Sequence, residues 1–147
     1  MNILLITPGI NKRFNDNYHA YSHIADNNNN VLALSNKECL AKGGALRKDP
    51  EVEVDGSLVI HRIFSSMRDQ QSFFRRLPYK QKVRSLVSEF RPDVIFCEEI
   101  SNLRFALEIK RKLGVPIVLR TEFAFDADSP YRNMGRFLKL FKNPLTG

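Results

Sequence analysis

Short apolar runs alternate with helical patterns along the chain. Asn2-Ile3-Leu4-Leu5-Ile6-Thr7 is a continuous apolar block closed by Pro8-Gly9, as fits a central parallel strand buried on both faces. A polar loop runs to about Asn17, and the pattern predicts a helix over 18–26. The asparagines at 27–30 are turn formers and read as the helix stop. A second strand is expected over 31–34. Residues 36–56 read as irregular, broken by Gly43-Gly44, Asp49-Pro50 and an Asp55-Gly56 turn. A third strand covers 57–63. Val83, Leu86, Val87 and Phe90 fall at i, i+3, i+4, i+7, an amphipathic helical stripe. Arg91-Pro92 closes that helix, because the residue before proline avoids the α region. A fourth strand is expected over 93–97. Ser101 or Asn102 is expected to cap a helix reaching Leu113, with Leu103, Ala106, Leu107 and Leu113 inward and Gly114 just past its end. A fifth strand covers 115–119, and a short helical pattern occupies the tail.

Strands separated by helical patterns imply βαβ units. The expected fold class is α/β: a Rossmann-like three-layer α/β/α domain with a mainly parallel sheet. The 147 residues amount to one such domain. With 43% hydrophobic residues there is ample material for a core. No apolar run approaches the roughly 18–20 residues of a spanning helix. Residues 1–6 lack a basic leader and a small-residue cleavage site, so they read as a strand and not as a signal peptide. A formal net charge of +7 favours an anionic partner: a phosphate-bearing ligand, a membrane surface or nucleic acid. Two cysteines are too few for a disulfide scaffold and read as free thiols of a reducing cytosol.

Open parallel sheets bind ligands outside the carboxyl ends of their strands. That rule selects the segments 7–17, 97–102 and 121–128. The first offers Gly9, Lys12 and Arg13, which could hold an anion or form a solvated loop. Glu98-Glu99 at the fourth strand's tip point opposite ways, so at most one faces a cleft. Glu122, after the fifth strand, could bond a polyol or pair with Arg120 or a lysine. His19 and His23 share a helix face, but no third ligand accompanies them, and no metal is expected. His61 reads as structural and Cys97 as packing. Two basic-aromatic stretches carry much of the excess charge. The first includes Phe73, Phe74, Arg75, Arg76, Lys80 and Lys82, and the second spans 131–142. They suit an anionic membrane surface, or aromatics packed inward with cations in solvent. No nucleic-acid recognition module is visible.

Four motifs occur in a telling order: Met1-Asn2-Ile3-Leu4-Leu5-Ile6-Thr7-Pro8; Asp55-Gly56-Ser57-Leu58-Val59-Ile60-His61-Arg62; Arg91-Pro92-Asp93-Val94-Ile95-Phe96-Cys97-Glu98; and Gly114-Val115-Pro116-Ile117-Val118-Leu119. With them the chain resembles the N-terminal, acceptor-side domain of family 4-like glycosyltransferases of the GT-B fold. The resemblance implies transfer of a sugar from a nucleotide-sugar donor to an acceptor, with retention and with no cofactor. It implies a lipid-linked or cell-envelope acceptor, since the basic stretch lies where some members contact membrane. It also implies a C-terminal donor domain, absent from this sequence, in an enzyme more than twice this length. The isolated domain is then expected to be inactive, with no catalytic residue of its own. Gly9, Lys12, Arg13, Glu98 and Glu122 would be its cleft-binding residues. The sequence departs from the family in lacking a Gly-Gly pair after the first strand, and in carrying Glu98 and Glu122 where the family has histidines. The expected location is cytoplasmic, with peripheral contact on an inner membrane face as an open alternative. A flavodoxin-like binding module and a non-catalytic peripheral membrane domain are the rival readings.

Overall fold

The structure, a computed structural model, describes residues 1–10, 16–40, 46–48 and 50–121 of the chain. In chain order its elements begin with β1 (Asn2–Ile6), α1 (Asp16–Asp26), β2 (Asn30–Asn36), β3 (Glu38–Leu40), β4 (Leu46–Lys48), β5 (Val52–Asp55) and β6 (Leu58–Phe64). There follow α2 (Met67–Gln71), α3 (Phe73–Arg76), α4 (Lys80–Phe90), β7 (Val94–Glu98), α5 (Leu103–Leu113) and β8 (Ile117–Arg120). Single 3-10 turns at Leu77–Tyr79 and Ile100–Asn102 lead into α4 and α5.

Six strands form one sheet in the order β5-β6-β2-β1-β7-β8. All neighbours are parallel except β5 and β6. The expected Rossmann-like α/β/α fold is therefore present. The alternation of strand side chains divides the core in two. Leu4, Ile6, Leu32, Leu34 and Ile95 face α4 and α5, meeting Val83, Val87, Phe105 and Ile109. Ile3, Leu5, Val31, Ala33 and Ile60 face α1, meeting Tyr18, Tyr21 and Ala25. Leu4 and Leu5 are wholly buried on opposite faces, which is why β1 reads as an unbroken apolar run.

Two left-handed caps stop the helices on that core. Gly114 (φ 70°) ends α5 and donates to the Lys110 carbonyl at 2.8 Å. Arg91 (φ 52°) ends α4, donating to Val87 at 3.0 Å. Proline after Arg91 bars the right-handed region there, and the chain turns directly into β7.

Three expectations need correction. The described residues of 36–56 are not irregular: they end β2, pair β3 with β4 and add β5 as an antiparallel edge strand. That edge turns Val52 and Val54 outward and Glu53 toward Arg62, the reverse of the pattern that marks a buried strand. Neither Ser101 nor Asn102 caps α5 with its side chain; Asn102 is the flanking residue, but its amide is committed elsewhere. The inward stripe of α5 is Asn102, Phe105, Ala106 and Ile109. Leu103 and Leu107 are only half-buried and Leu113 is exposed, so the leucines mark the stripe's flank and not its centre.

Candidate functional site

The strand order reverses between β1 and β7: β1 leads to β2 and β6 on one side, while β7 and β8 lie on the other. Such a switch point opens a crevice at the carboxyl ends of the two central strands. Thr7 follows β1 and Glu98 closes β7, so the two face each other across it. The Thr7 hydroxyl donates to Glu98 Oε2. Both residues are buried, Thr7 fully and Glu98 at 4% exposure.

A layer of buried amides underlies this pair. Gln70 Nε2 donates to the Thr7 carbonyl at 2.7 Å and lies 3.3 Å from Asn102 Oδ1. Asn36 Nδ2 donates to Gln70 Oε1 at 2.8 Å and to the Pro8 carbonyl at 2.6 Å. Asn102 Nδ2 donates to the Glu98 carbonyl at 3.1 Å. The ends of β1, β2 and β7 and the last turn of α2 are thereby tied into one network. Satisfied networks of this kind are rigid.

The backbone pays for this arrangement at Glu99, a non-glycine residue at φ 67°. Strain of that kind costs on the order of 1–3 kcal/mol. It is held by the Glu99 N–H on the Arg120 carbonyl (2.9 Å) and by the Asn102 N–H on the Glu99 carbonyl (3.1 Å). The kink returns the chain so that Asn102 can reach back to Glu98.

The other Glu98 oxygen, Oε1, lies buried beside Arg120 and Tyr21. Its near charge is Arg120, with Nη1 at 3.5 Å. Tyr21 Oη, from α1, is also buried, and interacts with Glu98 and Arg120. Burial pushes the Tyr21 phenol well above its usual value, and the Glu98 charge adds to the effect against the opposing Arg120. The phenol stays protonated and able to donate. A carboxylate acceptor, a guanidinium and a neutral phenol thus converge at one end of the sheet. That set can bind vicinal hydroxyls. Gly9 joins the pair through its backbone, its carbonyl lying 3.1 Å and its N–H 3.4 Å from the Thr7 hydroxyl. The loop after β1 is tied down from beneath by Arg62, whose buried guanidinium donates to the Ile10 carbonyl at 2.8 Å and pairs with Glu53 at 2.8 Å.

Of the expected cleft residues, Gly9 and Glu98 are thus brought together. Lys12, Arg13 and Glu122 lie outside the described residues, as does the basic-aromatic stretch 131–142. Sequence reasoning missed Asn36, Gln70, Tyr21 and the inward turn of Asn102. The only available signal was position, since Asn36 and Asn102 both follow closely on apolar strands. Within the 73–82 stretch, Phe73 and Phe74 are exposed beside Arg75 and Lys80. Arg76 differs: it is buried, donates to the Gln70 carbonyl at 2.9 Å, pairs with Glu108 at 2.7 Å and lies over the Phe105 ring. Lys82 pairs with Glu51. His19 and His23 are exposed, and no cluster of metal-ligating side chains occurs among the described residues. Cys97 is a buried free thiol that packs in the core. No helix among the described residues is long and apolar enough to cross a membrane. Compared with known proteins, the chain matches no protein-family model and no curated protein sequence.

Proposed function

We propose that this chain is the acceptor-side domain of a glycosyltransferase that moves a sugar from a nucleotide-sugar donor to a hydroxyl-bearing acceptor. The observation that carries this reading is the Glu98 carboxylate, buried at the switch point with Oε1 beside Arg120 and Tyr21. A carboxylate so placed suits the hydroxyls of a glycan. The fold places the crevice where an α/β domain binds its ligands, and the four sequence motifs add the family resemblance. In this reading the donor's main contacts come from a second domain that closes over the crevice, and this domain alone does not catalyse. The basic stretch with exposed Phe73 and Phe74 would bring the enzyme to a lipid-linked or envelope acceptor at an inner membrane face. The 77% exposure of Phe74 supports that part.

The test is transfer by the native polypeptide isolated from its source cell. It is incubated with labelled sugar nucleotides and a total membrane extract. Label should pass to a glycan or lipid, and Glu98→Gln should lower kcat/KM for the acceptor by about tenfold or more, as expected when a charged hydrogen-bond partner is lost. Failure of every sugar nucleotide to donate, with the protein folded, would sink the proposal.

A further inference from the structure

A second concavity lies away from the crevice and shares none of the residues just described as its ligand groups. It is a groove of about 480 Å³ between α4 and α5, roofed at one end by α3. That volume falls within the roughly 300–1,000 Å³ of small-ligand pockets. Its floor is apolar: Val83 and Val87 from α4, Phe105 and Ile109 from α5. Phe73, Leu77 and Leu113 form exposed apolar lips.

The rim is strongly one-signed. Lys80, Arg84 and Lys112 line it, are exposed, and make no ion pair among the described residues. The lining holds one carboxylate, Glu108, and it is already paired with Arg76. Burial lowers the Arg76 guanidinium from its usual value and Glu108 offsets this, so that pair forms a neutral end wall. Three cations therefore surround an apolar trough with no unpaired carboxylate lining it among the described residues.

We propose that the groove binds a single-chain anionic amphiphile, a fatty acid or monoacyl phosphate. The chain lies along the Val83–Phe105 floor and the head sits among Lys80, Arg84 and Lys112. The concave shape favours one inserted chain over a bilayer surface, which would be met by protruding side chains. The charge of the rim excludes cationic and disfavours neutral heads. The inference does not depend on glycosyl transfer, because the crevice at the β1–β7 switch point takes no part in it.

The probe is dodecyl phosphate below its micellar concentration, titrated into the whole chain by calorimetry and amide NMR. Binding at one site is expected, with shifts along α4 and α5 and an affinity that falls with salt. Dodecyl maltoside should bind about tenfold or more weakly, and Lys80→Ser/Arg84→Ser/Lys112→Ser should lose a similar factor, since exposed cations each contribute modestly. Leu113→Glu, at an exposed lip, should also abolish binding; if it fails to fold, the triple variant at exposed positions still decides. The proposal is overturned if neutral and anionic detergents bind equally, or if the triple variant is unaffected. It is equally overturned if inorganic phosphate alone binds as well, or if only anionic vesicles bind and monomeric dodecyl phosphate does not.

Discussion

Thr7 and Glu98, 91 positions apart in the chain, share a buried hydrogen bond across the gap where the strand order reverses. The bond spends Oε2 of the carboxylate and leaves Oε1 beside Arg120. It therefore both fixes the side chain and turns Oε1 toward Arg120. Thr7→Val removes the donor at nearly constant volume and leaves a buried carboxylate oxygen without its partner. A loss of about 1–3 kcal/mol is expected, with Thr7→Ser close to the parent. Urea unfolding of the Thr7→Val, Glu98→Gln and double variants should show the two sites coupled; additive losses would contradict the bond.

Arg62 holds the loop after β1 against the β5 edge through the Ile10 and Pro50 carbonyls and Glu53. Arg62→Ala leaves Glu53 unpaired and the two carbonyls without these donors. A loss of about 3–5 kcal/mol is expected for breaking a buried pair from one side. Arg62→Lys should recover only part of it, because an ammonium cannot span three acceptors in the guanidinium's fork. Equal stability of the lysine variant and the parent would contradict the role assigned to the fork.

Burial, reinforced by the Glu98 charge, pushes the Cys97 thiol up to about 12. At pH 8 about one thiol in 10⁴ is then ionised, against about one in four for an ordinary cysteine near 8.5. In a Cys39→Ser background, disulfide-reagent labelling should be slower than for the urea-unfolded chain by a thousandfold or more on ionisation alone. Rapid native labelling would place Cys97 outside the core.

His61 on β6 has a buried Nδ1 with no hydrogen bond among the described residues. Burial, with the Lys82 charge adding to it, holds its pKa below the usual 6.5, and Glu51 opposes weakly. Below pH 6.5 the unfolded chain takes up this proton before the folded one does. His61 thus contributes stability above that pH that is lost as pH falls through its folded value, with a slope of at most about 1.4 kcal/mol per pH unit. His61→Gln should flatten the stability profile below pH 6.5. The lowered carboxyl of Glu51 acts in the same direction, but only below about 4.5, where ordinary carboxylates titrate. An unchanged profile in His61→Gln would show that another group carries the acid slope.

The parts of the fold visible in the sequence are those whose local pattern and tertiary role agree. β1 reads as buried on both faces because Leu4 and Leu5 are so, and the Val83/Val87 stripe meets the core as its spacing requires. β5 escaped notice because its valines face solvent and its Glu53 serves a cation. Glu98 was legible as a polar residue at a strand tip. Its partners were not: Gln70 and Asn36 reach the crevice only through crossovers that bring 34 and 63 residues of separation to hydrogen-bond distance. A buried amide has no sequence signature apart from the partner it finds.

The central claim is that the β1–β7 crevice binds a hydroxyl-rich ligand through Glu98. The most direct measurement is amide NMR of the isotopically labelled chain titrated with sugar nucleotides and with glycan acceptors. The account predicts that at least one of them shifts Thr7, Gly9, Glu99 and Asn102 together, and that Glu98→Gln abolishes those shifts while leaving the spectrum folded. Shifts confined to other surfaces, or shifts at the crevice that survive Glu98→Gln, would contradict it.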